Sequence, residues 1–234
     1  MKSLNDYFEY VYCIHVIGKE DRMNNIEKLI KDLNIQDLKL FEASTPDNIE
    51  IPDNLGKIHN CGILLPTEYA CGHSHLRLLQ EIIEREGPGR SLILEDDACI
   101  NPEVNVLDIL DYEAERALDN SVDLVQLGSN YKQLKSRRIN DNLHHMTFGV
   151  TTHAYSPSVD MAKWIWNNVM NIEKFKSHKT DAIDTLFAKN MGSRNCRVFN
   201  PPLMYQMPCH SLIADLWSDT RKETLYAGNA NKRK

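Results

Sequence analysis

The chain has 234 residues, 42% of them hydrophobic and 26% charged, with a formal net charge of −6. That is the balance of an ordinary globular protein long enough to bury a sizeable core, so disorder is excluded. No basic stripe runs through the body of the chain, which argues against a dedicated nucleic-acid binder, and no apolar run approaches the roughly 18 residues of a membrane span.

Val11 to Ile17 is a short apolar, β-branched run that reads as a buried strand ended by Gly18. Asp21 is placed to cap a helix whose apolar positions Met23, Ile26, Leu29, Ile30 and Leu33 fall at helical spacing. Leu38 to Glu42 reads as the next strand, so strand, helix and strand form a βαβ unit with a parallel pairing. Residues 43–66 carry Pro46, Pro52, Gly56, Gly62 and Pro66 and read as a long functional loop. Thr67 is placed to cap a helix running to about residue 86, before the break at Gly87-Pro88-Gly89.

Ser91 to Leu94 is a short apolar strand followed at once by Glu95, Asp96 and Asp97. A helix over 107–118, a strand over 122–127, and a basic excursion or hairpin over 129–146 with Lys132, Lys135, Arg137 and Arg138 come next. Residues 147–155 read as a strand, and Ser158 caps a helix to about residue 169. Residues 181–189 read as a short helix, and Cys196 to Phe199 as a last strand before a loop over 201–210. The expected architecture is α/β, a single Rossmann-type domain with a mostly parallel central sheet flanked by helices. Its core is expected over about 11–213, with a frayed tail over 222–234.

The six cysteines contain no C-x-x-C pair and read as free thiols in a reducing compartment. The first ten residues lack the apolar core of a signal peptide. A cytoplasmic location follows as the expectation. Cys71-x-His73-x-His75 has no fourth ligand at a zinc-site spacing, and the i, i+2 spacing of its histidines puts them on different sides of a helix.

Three consecutive acids directly after an apolar strand point to chemistry. Strand C-termini in open α/β sheets face the ligand crevice, and carboxylates there can share Mg(II) or Mn(II) with a diphosphate. The ion would offset charge on a departing nucleoside diphosphate. A metal-dependent phosphohydrolase or nuclease, with Asp181 and Asp184 as a second acid cluster, is one alternative. A non-catalytic nucleotide-sugar-binding module is another.

L-I-L-E-D-D, preceded by Tyr69-Ala70-Cys71-Gly72-His73-Ser74-His75, resembles glycosyltransferase family 25, the lipooligosaccharide and collagen-type galactosyltransferases. Asp21-Arg22 after the first strand, Asp181-x-x-Asp184, and Pro202-Leu203-x-x-Gln206 with Ser211 resemble its other signatures. Thr45-Pro46-Asp47 departs from the family's usual turn. The resemblance implies a GT-A fold and an inverting, metal-dependent transfer of a sugar from a nucleotide donor, UDP-galactose or UDP-glucose favoured. The acceptor would be a hydroxyl of a glycan or glycoconjugate, as in lipopolysaccharide biosynthesis.

By the same resemblance Asp97 is a metal ligand, with Glu95 at the metal or the donor ribose and Asp96 in either role. His210 is the candidate C-terminal metal ligand. Arg22 would reach the nucleotide, and Ser74 and His75 would order the acidic loop or touch the donor. The base that takes the acceptor's proton is expected from Asp181 or Asp184, with Asp184 favoured because Asp181 is placed to cap its helix.

Overall fold

The computed structural model describes residues 2–52, 65–85, 87, 89–129, 134–149, 151–172, 174 and 182–207, and the backbone of 209–210 and 217–218. Asp181, the side chains of His210 and Trp217, and the 222–234 tail lie outside the described residues.

A 3₁₀ turn (Leu4–Asp6) leads into β1 (Tyr10–His15), α1 (Glu20–Asp32) and β2 (Leu38–Glu42). After α2 (Pro66–Glu84) come β3 (Ser91–Glu95), β4 (Ala98–Ile100), α3 (Val106–Ala117) and β5 (Leu124–Gln126). Then follow β6 (Lys135–Arg138), β7 (Leu143–Phe148), β8 (Ala154–Pro157) and α4 (Val159–Trp164), which continues as a π-helical turn (Ile165–Val169). The chain goes on through α5 (Ile183–Asn190), β9 (Cys196–Phe199), β10 (Met204–Gln206), β11 (Cys209–His210) and β12 (Trp217–Ser218).

Eight strands form one sheet in the order β2-β1-β3-β8-β5-β9-β7-β6. β1 pairs in parallel with β2 and β3, and β5 with β9, while β7 and β8 run against their neighbours. Six of the eight strands therefore point the same way, as the βαβ pattern leads one to expect. Apolar side chains alternate to both faces: Tyr12, Ile14 and Ile93 pack with α2, α4 and α5, while Val11, Cys13, Leu92 and Leu94 pack with α1 and α3. A sheet covered on both sides needs such continuous apolar runs.

Several boundaries differ from the sequence reading. Val16 and Ile17 lie beyond β1, and Ile17 is 67% exposed. Lys19, not Asp21, occupies the cap of α1, and Asp21 sits inside the first turn. α2 starts at Pro66, whose fixed φ suits the first helical position, so Thr67 lies within the helix. Residues 147–155 are not one strand. β7 ends at Phe148, and the chain crosses the strand ends to β8, on the far side of β9 and β5. The expected loop after β9 contains β10, which pairs with the unanticipated β4. Both are three residues long, too short for an apolar alternation to show.

Ser158 caps α4 as expected, accepting from the Met161 N–H at 3.0 Å, and residues 135–148 form the expected hairpin. Cys13, Cys71, Cys99 and Cys196 are free. No helix among the described residues is long and apolar enough to cross a membrane.

Candidate active site

The C-terminal ends of β1 and β3 bring the acids to the edge of the sheet. Asp96 is turned inward and buried. Its Oδ2 accepts from the Val16 N–H at 2.9 Å and lies 3.2 Å from His15 Nδ1, while Oδ1 lies 3.3 Å from Arg22 NH1. Asn25 Nδ2 donates to the carbonyls of Asp96 and Ala98. Burial raises the Asp96 carboxyl above its ordinary range, opposed by the Val16 N–H and the Arg22 charge. The Asp96 carboxylate thus joins β1, α1 and the acidic turn, and the residue also lines the adjoining cavity.

Arg22 is 2% exposed. Its NH1 also lies 2.9 Å from Asp97 Oδ2, so its charge is directed at the acids as much as at the adjoining cavity, which it also lines. The Asp97 Oδ2 accepts from Gln206 Nε2 at 3.0 Å. Pairing of β10 with β4 delivers that glutamine, setting Gln206 opposite Ala98. The other oxygen, Asp97 Oδ1, is buried without a hydrogen-bond partner. Burial and the Glu95 charge push the Asp97 carboxyl up, and Arg22 and Gln206 only partly oppose this.

Glu95 accepts from Thr152 Oγ1 at 2.6 Å, and its Oε1 lies 3.3 Å from His75 Nε2, outside hydrogen-bond geometry. Burial alone would raise Glu95, but His75 and Thr152 outweigh it and hold the carboxyl below its ordinary value. His75 is fully buried, and its Nδ1 lies 3.0 Å from the Tyr155 hydroxyl. His73 lies on another face of α2, 2.8 Å from Ser44 Oγ, as the i, i+2 spacing implies. Ser74 Oγ donates to the Ala70 carbonyl and accepts from the Ser44 N–H at 2.8 Å, fastening the chain after β2 to α2, and Ser74 lines the first of two cavities at the site.

Two cavities open on this cluster. The first, about 210 Å³, is lined by Lys19, Arg22, the three acids, Ser44, Thr45 and Pro46 among others. The second, about 140 Å³, is lined by Thr151, Thr152, His153, Asp184 and Gln206 among others. Glu95 and Cys71 line both, forming a shared wall. Asp184 lies in the first turn of α5, and its Oδ1 accepts from the Thr185 N–H at 2.6 Å. Burial raises its carboxyl above the ordinary range, a useful condition for a group that must take up a proton. Ala182, not Asp181, is the cap residue of α5.

The sequence reading did not single out Thr152 or His153. His153 is 3% exposed, and burial pulls its imidazole below the ordinary value, opposed by the Glu95 and Asp97 charges. Thr151 beside them has φ +90°, a conformation that is costly for a β-branched residue and concentrated at functional sites. The expected metal trio of Glu95, Asp97 and His210 is brought together only in part, Glu95 and Asp97 lining the same cavity. Among the described residues, the three potential ligand atoms lying mutually within 4.8 Å belong to Cys71, His75 and Glu95.

No curated protein matches this chain. A solved structure that resembles it is the crystal structure of a glycosyltransferase involved in the glycosylation of the major capsid of PBCV-1. It is 9% identical, with a TM-score of 0.39 over 93% of this chain and 98% of that one, too remote to inform the site. Residues 8–183 match the model of the family described as Glycosyltransferase family 25 (LPS biosynthesis protein). That match takes in the acid-bearing end of β3 and most of the walls of the two cavities, and the chain belongs to glycosyltransferase family 25.

Proposed function

We propose that the chain is an inverting glycosyltransferase of GT-A type. It moves a hexose from a UDP-sugar, galactose or glucose, to a hydroxyl of a glycan in lipopolysaccharide biosynthesis, with Mn(II) or Mg(II) as cofactor. The observation that carries this reading is Glu95 in the wall between two cavities, one bearing the acidic turn and the other bearing Asp184. A two-substrate displacement needs two such adjoining sites, with the reacting carbon at their junction.

The first cavity suits the donor. Ser44, Thr45 and Pro46 line it together with the cations Lys19 and Arg22 and the acidic turn. The metal is supported by the chemistry of Asp97. A buried carboxylate oxygen without a partner, on a group that burial and a neighbouring charge push towards protonation, calls for a cation. Asp97 and Glu95 would hold the ion, with His210 as a further candidate. When bound, it supplies positive charge for the leaving diphosphate.

The second cavity suits the acceptor. Its hydroxyl oxygen attacks the anomeric carbon as the bond from that carbon to the diphosphate oxygen breaks, and the hydroxyl proton passes to Asp184. The Thr185 N–H and hydroxyl hold Asp184 Oδ1 in place. Thr152 and His75 orient Glu95 in the wall between the substrates. Asp96 and Arg22 keep the acidic turn fixed.

The test is UDP release from a panel of UDP-hexoses with Mn(II) and a glycan acceptor. One donor should be consumed with inversion at its anomeric carbon, and Asp97→Asn should abolish the metal-dependent rate while keeping the fold. Wild-type turnover by Asp97→Asn at the same Mn(II), or retention of anomeric configuration, would overturn the reading.

A further inference from the structure

We propose that Cys71 Sγ, His75 Nε2 and a Glu95 carboxylate oxygen form a second, thiolate-bearing cation site that takes Zn(II), and that zinc bound there blocks sugar transfer. The three potential ligand atoms lie within 4.8 Å of one another. Cys71 and His75 are i, i+4 on α2, so one helix face presents both, and β3 presents Glu95 opposite them. The sequence pattern Cys71-x-His73-x-His75 hides this, because His73 points away to Ser44.

The state of His75 argues for a missing ligand. It is fully buried, and its Nε2 has no hydrogen-bond partner although Glu95 Oε1 is only 3.3 Å away. Its other nitrogen, Nδ1, is engaged by the Tyr155 hydroxyl at 3.0 Å. That is the arrangement of a metal-ligating imidazole, in which an outer partner fixes the ring and leaves the second nitrogen for the ion. A cation between them would satisfy Nε2 and share Oε1 with the Thr152 hydroxyl.

The donor set selects the metal. Thiolate and imidazole favour zinc over Mg(II) or Mn(II), and zinc accepts three protein ligands with a fourth position left open. On binding, the Cys71 S–H bond breaks, its proton leaves to solvent, and the S–Zn bond forms. Cys71 and Glu95 both line the two cavities, so the ion would sit where the substrates meet and draw Glu95 away from the donor. Only this inhibitory consequence rests on the proposed function; the binding does not.

The experiment titrates Co(II), as a spectroscopic substitute, and then Zn(II) into the chelator-treated full chain. One equivalent of Co(II) should give a thiolate charge-transfer band and tetrahedral visible bands, displaced by Zn(II). The bands should persist in Asp97→Asn and Cys99→Ser and vanish in Cys71→Ser, which is nearly isosteric. Tyr155→Phe should weaken binding about tenfold to a hundredfold, the usual cost of losing an outer partner of a ligand. Absence of the thiolate band in wild type, or its survival in Cys71→Ser, would overturn the site. Zinc should also slow UDP release in wild type and not in Cys71→Ser, each compared with its own zinc-free rate. Zinc that binds without slowing wild type would overturn the blocking role. A chain that releases no UDP at all defeats the proposed function, while the Co(II) bands still decide the site.

Discussion

The two cavities differ in what their unpaired groups can take. In the first, Asp96 is met by a backbone N–H, a histidine and an arginine, and Ser44 is held by Ser74 and His73. In the second, Thr151 Oγ1 and His153 Nδ1 are buried without hydrogen-bond partners, and Thr151 is held at φ +90°. Buried polar atoms cost free energy when unpaired. The first wall is therefore paired around Asp96 and Ser44 and leaves Asp97 Oδ1 and His75 Nε2, which suit a cation, while the second leaves a hydroxyl and an imidazole nitrogen that a polyhydroxylated ligand could satisfy. That division fits a shared nucleotide-sugar donor on one side and a glycan acceptor on the other.

The largest expected effect separates the two cavities directly. Asp184→Asn should lower kcat for transfer by about a hundredfold to ten-thousandfold, the range for losing a general base. UDP affinity, measured by calorimetry with Mn(II), should stay at the wild-type value. In wild type, activity should fall as pH drops, with a midpoint above the ordinary aspartate value, because burial raises Asp184. A loss of UDP affinity matching the loss of kcat would break the comparison by placing Asp184 at the donor.

A smaller effect tests how tightly the second wall is built. Gly128 follows β5, and a Cβ there would lie 2.2 Å from His153 Nε2 and 2.4 Å from the Met204 carbonyl oxygen. The backbone oxygen cannot turn aside as a flexible side chain can. Gly128→Ala should therefore destabilise the fold by about 1–3 kcal/mol, the usual cost of overpacking, read as a lower denaturant midpoint with unchanged slope. Wild-type stability would mean that this wall is loose enough to yield.

The first cavity was the more legible in the sequence. Strand ends and helix starts carry it in contiguous stretches. The bounds of β2 and β9 follow from their apolar runs, and Glu95, Asp96 and Asp97 stand together at the end of β3. Which acid faces inward was not legible, because that depends on Val16, Arg22 and Asn25 meeting Asp96 in space. The second cavity is assembled from remote pieces. Thr152 and His153 fall in the middle of an apolar stretch that reads as one strand, and alternation does not reveal that β7 and β8 lie in different places in the sheet. Gln206 was visible only through its family resemblance, since β10 is too short to register as a strand.

The smallest expected effect concerns stability at Asp184, and its sign follows from burial. The folded-state carboxyl is raised above its ordinary value, with burial as the largest cause and the Thr185 N–H and hydroxyl opposing it. A carboxyl raised on folding binds its proton more readily in the folded state. It stabilises the fold below its unfolded-state value, and that contribution is lost as pH rises through the folded-state value. At neutral pH the buried charge is thus a small burden, one that the proposed general base would carry. Asp184→Asn removes the charge and keeps an Oδ1 that can accept the same bonds from Thr185. The variant should melt at or slightly above wild type at pH 7. Its advantage should shrink as pH falls into the carboxylate range, where wild type is protonated as well. Paired thermal melts across that range decide the matter. A variant less stable than wild type at pH 7, recovering in acid, would show that the folded protein favours the Asp184 charge.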